Sequence, residues 1–382
     1  MTLMPADSLS GRFRATLRAG RTFALASSLL LTGVALFSVA YAPVSLGQAR
    51  INANSLAAET MGPEDKQGVD AFVSEQTSQL LSDEPKEVSR ARASFVDVYG
   101  RWNTGGGSQA FADYYNKQVA GALTAVLKPA SSVLARVNAS LLASRVLSPA
   151  VVPVFEAGLA DDNEGVRFQT ATSVGLLADR DAKQDPASRL QETFWNDLLK
   201  VCGQRLKIET SPLVVQRVLV AMGKLPISAA AVQVLDAIDG RVVLHVDNSQ
   251  QPMIAELEAL KQVVLYINSQ PEEARPELFK RAIGVSMKLS KVAVAQLQKP
   301  MPEDLKDQRV DMIKYVEAYV LRDPTENAFA VALNKIPGEQ DQIGADLRAG
   351  KFAEVQQALE AWEQFLLAAP VQIDPALMRV PR

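Results

Sequence analysis

From Val69 onward the apolar positions repeat at three- and four-residue spacing, the period of an amphipathic helix. Val69, Phe72, Val73, Leu80 and Leu81 fall on one face, and Val88, Phe95, Tyr99 and Trp102 mark the next helix. The glycine-rich run 103–108, Asn103-Thr104-Gly105-Gly106-Gly107-Ser108, halts that helix and reads as a hinge. Phe111, Tyr115, Val119, Leu123, Val126 and Leu127 form a long stripe that stops before Pro129, because the residue ahead of a proline is turned away from helical backbone angles. Helix-length patterns then follow one another. They break near Ser148-Pro149, Asp161-Asp162-Asn163, 179–186, Ser211-Pro212, Pro226, 247–252, Gln270-Pro271, Lys299-Pro300, Asp323-Pro324 and Pro337-Gly338. Proline in the first turn costs no hydrogen bond and a preceding Ser or Asp caps the free amides, so this punctuation predicts helix hairpins. Only Arg241-Val242-Val243-Leu244-His245-Val246 has the β-branched density of a strand. One strand has no sheet to join, and the run reads as an irregular or helical piece of the array.

One window carries more than periodicity. Leu159, Asp161-Asp162, Val166-Arg167, Ala171, Val174-Gly175 and Leu176-Leu177 resemble the second helix of a HEAT repeat, with Pro149 to Leu159 as the helix before it. Val214, Val218, Ala221, Met222-Gly223 and Leu225 resemble a second copy at an offset of 48 residues, with Val215 where that family has Arg. The resemblance covers about residues 130–226, and an armadillo-like or irregular helical array fits the same pattern. It implies an all-α fold, a right-handed stack of helical hairpins, or α-solenoid, in which each pair buries its neighbour's apolar face. The expected organisation is an N-terminal helical region at 67–127, HEAT-like repeats at 128–336 and a C-terminal helical cap and tail at 337–382. The resemblance also implies a curved groove for a protein or peptide partner. Arg167 is expected to reach Asp161, Asp162 or the matching turn of an adjacent unit.

Ahead of this body the pattern changes. Thr22 to Ala49 holds no charged residue and follows Arg12, Arg14, Arg18 and Arg21, the layout of an export signal or a membrane span. Segment 1–49 therefore reads as a signal peptide or an uncleaved anchor, and 50–66, small and polar, as a linker ending at Pro63. Small residues suited to cleavage stand at 38–40, 40–42 and 47–49, with Pro43 against the second, while the apolar length approaches that of a span, so both readings stay open. Either places the body outside the cytoplasm, periplasmic or secreted in one case and tethered by one helix in the other. The formal charge is −3 overall and about −6 without residues 1–42, which gives no footprint for a phosphate backbone and excludes nucleic acid as a partner.

Candidate chemistry is sparse. The chain has one Cys, Cys202, and one His, His245, too few for a disulfide or a usual zinc site. No nucleophile motif accompanies His245, which reads as structural, and Cys202 reads as a packing residue. Gly105-Gly106-Gly107 lacks the Gly-Lys-Ser/Thr ending of a phosphate loop. The acidic pairs Asp161-Asp162 and Glu256-x-Glu258 read as solvated surface, and Asn138-Ala139-Ser140, a glycosylation pattern, lies inside a helix. Tyr114 beside Tyr115, Trp195 beside Phe194, and Trp362 are the aromatic candidates for a partner surface. No catalytic, cofactor or metal residue is assigned. These features point to a non-enzymatic interaction scaffold; an enzyme or enzyme subunit without a recognisable site, and a lipid-facing envelope protein, are the alternatives.

Overall fold

The structure is a computed structural model that describes residues 50–104, 106–247, 253–299, 345–368 and 372–381. The export segment 1–49 and the stretch 300–344 of the expected repeats and cap lie outside the described residues. Among the described residues every regular element is helical and no strand occurs. Helix α1 (Ala53–Ala57) leads into α2 (Pro63–Leu80), α3 (Pro85–Thr104), α4 (Gln109–Val126) and α5 (Val133–Ala143). Next come α6 (Val152–Leu159), α7 (Glu164–Asp181), α8 (Glu192–Ile208) and α9 (Pro212–Gly223). Helices α10 (Ser228–Asp247), α11 (Ile254–Ser269) and α12 (Pro276–Gln298) follow, and α13 (Phe352–Leu367) and α14 (Pro375–Met378) close the chain.

The capping chemistry works as the sequence indicates. Ser108, Ser132, Asn163 and Ser211 each accept a hydrogen bond from a first-turn amide, and Pro63, Pro212 and Pro276 occupy first turns. Losing one such cap costs about 1 kcal/mol. The strand-like run 241–246 belongs to α10, since Ile238, Val242 and His245 are all buried at helical spacing and tertiary burial outweighs β-propensity.

The helices pack in two rows. In the first, α2, α4, α6, α8, α10 and α12 each lie against the next member, and in the second α3, α5, α7, α9 and α11 do the same. Consecutive helices bridge the rows as the pairs α2/α3, α4/α5, α6/α7, α8/α9 and α10/α11, while α13 and α14 both rest on α12. Four helices of the second row share one burial register, counted from the caps Ser132, Asn163, Ser211 and Met253. The third residue onward is Ala135, Val166, Val214 or Glu256, and the seventh is Ala139, Thr170, Val218 or Leu260. The fourteenth is Val146, Leu177, Leu225 or Ile267, and all twelve are buried. One of these core slots therefore holds a carboxylate, Glu256.

Two segments depart from the sequence expectation. Residues 50–66 are not a free linker: Ile51 and Leu56 are buried, α1 packs on α4, Arg101 Nη1 donates to the Ile51 carbonyl at 3.1 Å and the Ser108 amide to the Leu56 carbonyl at 2.7 Å. Two apolar side chains amid small polar ones are enough to seat the stretch. The turn at 106–108 is likewise clamped, with Gly106 at φ +68, Trp102 Nε1 donating to the Ser108 carbonyl at 3.0 Å, and the Trp102 ring where a Gly107 Cβ would stand.

Close approach of α9 and α11 depends on Gly223. A Cβ there would lie 2.8 Å from Gln262 Cβ and 3.2 Å from the Ala259 carbonyl oxygen, whereas one at Gly121 would meet nothing within 4 Å. Gly223→Val is thus expected to cost about 1–3 kcal/mol through overpacking, and Gly121→Ala to be neutral or stabilising by up to about 1 kcal/mol. Thermal melts of the two variants check this, and equal midpoints would mean that α9 and α11 do not meet at Gly223.

Candidate functional site

The less buried faces of the second-row helices carry the best candidate. Val137 and Leu141 share a face of α5, with Arg145 four residues on in the turn past its end; Phe168, Thr172, Leu176 and Arg180 share a face of α7; and Gln216 and Val220 share a face of α9, with Lys224 as its C-cap. Cross-helix bonds knit these faces together: Arg92 Nη1 donates to Asn138 Oδ1 at 2.9 Å, Gln216 Nε2 to Glu258 Oε2 at 2.7 Å and Lys224 Nζ to Asp179 Oδ2 at 2.7 Å. The Arg217 guanidinium lies over the Phe168 ring, 5.2 Å from its centroid. Leu141, Leu176 and Val220 are half-buried and stand outside the core cluster, and Leu134 and Leu213 are 40% and 57% exposed.

Two buried charge centres lie elsewhere. Arg136 pairs with Asp161 at 2.5 Å, and Arg167 with Glu209 in a two-pronged contact, Nε to Oε2 at 2.8 Å and Nη2 to Oε1 at 3.1 Å. Both arginines are the fourth residue of their helices, and each reaches the turn that opens the next helix of its row. Arg167 Nη1 also donates to the carbonyls of Asp161 and Asp162. Burial alone would raise the Glu209 carboxyl, but bonds from Arg167, the Ser211 amide and Arg205 bring it down to about 2. The second centre holds Glu256 against Arg241 at 2.7 Å and His245 Nε2 at 3.3 Å, while Gln296 Nε2 donates to the His245 carbonyl at 2.6 Å. There too burial pushes the carboxyl up and is outweighed by His245 and then Arg241, so Glu256 titrates below its ordinary range.

Several sequence expectations change accordingly. Asp161 and Glu256 are not solvated: both are buried and ion-paired, and Glu258 is half-buried, while Asp162 is exposed. Trp195 and Trp362 are buried, Trp195 in edge contact with Phe194 at 4.8 Å, because their large apolar area is worth more in the core than on a rim. Tyr115 is core; half-buried Tyr114 bonds Asp70 and sits beneath Lys66. Burial of Asn138, Ala139 and Ser140 closes the glycosylation pattern, and burial pushes the Cys202 thiol up to about 12. His245 is a buried member of the Glu256 centre. Among the described residues no cluster of His, Cys, Asp and Glu has the geometry of a metal site, and no helix is long and apolar enough to cross a membrane.

No protein-family model, curated protein or solved structure matches the chain.

Proposed function

We propose that the chain is a right-handed α-solenoid of HEAT- or armadillo-like build, delivered across or to a membrane by segment 1–49, that serves as a non-enzymatic scaffold for a protein partner. The observation that carries this reading is the second row of helices. Four of its members, α5, α7, α9 and α11, share one burial register, and α5, α7 and α9 carry half-buried apolar and polar side chains outside the core. Stacked helix pairs make extended surfaces of this kind, which suit protein ligands better than small molecules. The charge-free stretch after four arginines supports the exported location.

The test is cross-linking of the full-length chain in its native cells, followed by purification from the membrane and extracytoplasmic fractions. A partner at near-stoichiometric yield is expected, lost when Val220→Asp and Leu141→Asp are introduced together and kept when the exposed Glu87 on α3 is changed to Gln. Full-length chain found soluble in the cytoplasm, or recovered alone, counts against the reading.

A further inference from the structure

The charge distribution on the second-row face is the reverse of the chain's. Against a formal charge of −3, the face collects Arg145, Arg180, Arg217 and Lys224. Lys224 is neutralised by Asp179 and Glu258 is engaged by Gln216. The guanidinium of Arg145 has no hydrogen bond or ion pair among the described residues, and Arg180 Nη1 finds only the neutral carbonyl and hydroxyl of Ser144. A cation in the last turn is favoured by the helix dipole, which accounts for one basic residue at each helix end. It does not account for two placed close enough that, after burial, Arg145 helps pull Arg180 down to about 10 against the opposing pull of Asp179. Nor does it account for Arg217, near the start of α9, whose guanidinium rests on Phe168 while its buried Nε has no hydrogen-bond partner.

Three or four residues from Arg145, Arg180 and Arg217 along the chain stand Leu141, Leu176 and Val220, each outside the core. Half-buried apolar side chains beside guanidinium groups that have no carboxylate partner among the described residues fit a ligand that brings apolar anchors and carboxylates together, since Arg binds carboxylates two-pronged through its planar fork. A bilayer would leave those groups facing hydrocarbon, and a basic segment would add repulsion. Building on the scaffold reading above, we propose that this face binds an acidic amphipathic segment of a partner protein, its apolar side chains on Leu141, Leu176 and Val220 and its carboxylates on Arg145, Arg180 and Arg217.

The test titrates full-length chain into a fluorescein-labelled peptide with leucines at helical spacing among glutamates, and into its counterpart with lysine for every glutamate, following anisotropy. Saturable binding of the glutamate peptide alone is expected, weakening with salt and falling about tenfold in Arg217→Glu. Because Arg217 also packs on Phe168, Arg145→Glu is the second variant; Arg145 is exposed at its residue level and its guanidinium makes no hydrogen bond or ion pair among the described residues, so its replacement is expected to leave the thermal midpoint unchanged and to weaken binding by a similar factor. Equal affinity for the two peptides, no binding of either, or charge reversals without effect overturns the proposal. If the cross-linked partner persists undiminished with the Arg145→Glu chain, this assignment falls and the scaffold reading stands; absence of any partner removes both.

Discussion

Glu256→Ala is expected to lose about 3–5 kcal/mol of unfolding free energy, the cost of removing one member of a buried ion pair. The carboxylate occupies a slot that Ala135, Val166 and Val214 fill in the sister helices, so size is not the reason for the loss. What the change leaves behind is His245, fully buried, and Arg241, only 22% exposed, without the acceptor that met them. Replacing all three groups together by apolar residues is expected to recover most of the loss, because then no charge is left desolvated. Urea melts of the single and triple variants at neutral pH measure both. The acid dependence has a definite sign: Glu256 is held below its ordinary range, so its contribution is present above the unfolded carboxyl value and fades as pH falls through the folded one. A single variant that melts like the parent chain would mean the carboxylate is not seated between α10 and α11.

Helices were legible because their signals are local. Ser132, Asn163 and Ser211 mark starts, proline fixes first turns, and apolar spacing marks the buried face within one element. Of the charge centres only the reach of Arg167 to its own turn and the adjacent one was legible, through the HEAT resemblance; residue type does not disclose a partner at Asp161 for Arg136 or at Glu256 for Arg241. Glu256 and Glu258 look alike in sequence, and only the register counted from Met253 shows that one of them takes a core slot. That register was itself concealed, since the caps at Ser132, Asn163, Ser211 and Met253 are unevenly spaced. An inserted stretch between α7 and α8, with its short turn Pro186–Ser188, widens one interval, so alignment at a single period finds α7 and α9 but misses α5 and α11. Trp195 and Trp362 show a related limit: an aromatic residue signals large apolar area, and whether the core or a partner covers it is decided by elements distant in sequence.

The ladder of turn bonds gives the other large effect, read on acidification. A carboxyl that moves from 4.5 to about 2 on folding contributes about 3 kcal/mol of stability. The sign follows from the depressed value: the contribution is complete above the unfolded carboxyl range and drains away as pH falls from 4.5 towards 2. Arg167 supplies the strongest favourable contact, with a side chain only 11% exposed against a Glu209 side chain that is fully covered. Arg167→Ala is therefore expected to cost about 3 kcal/mol at neutral pH, the lower end for breaking a buried pair, since Arg205 and the Thr210 and Ser211 amides still hold the carboxylate. The same variant is expected to lose less than the parent chain between pH 5 and pH 2, about half as much, because part of the pH-dependent contribution is already gone. A double-mutant cycle of Arg167→Ala and Glu209→Gln, melted in urea at both ends of that range, separates this bond from the two carbonyl contacts that Arg167 also makes. Coupling near zero at neutral pH would show that the arginine acts on its own turn alone, and that α7 and α9 are joined by their apolar register without the bond.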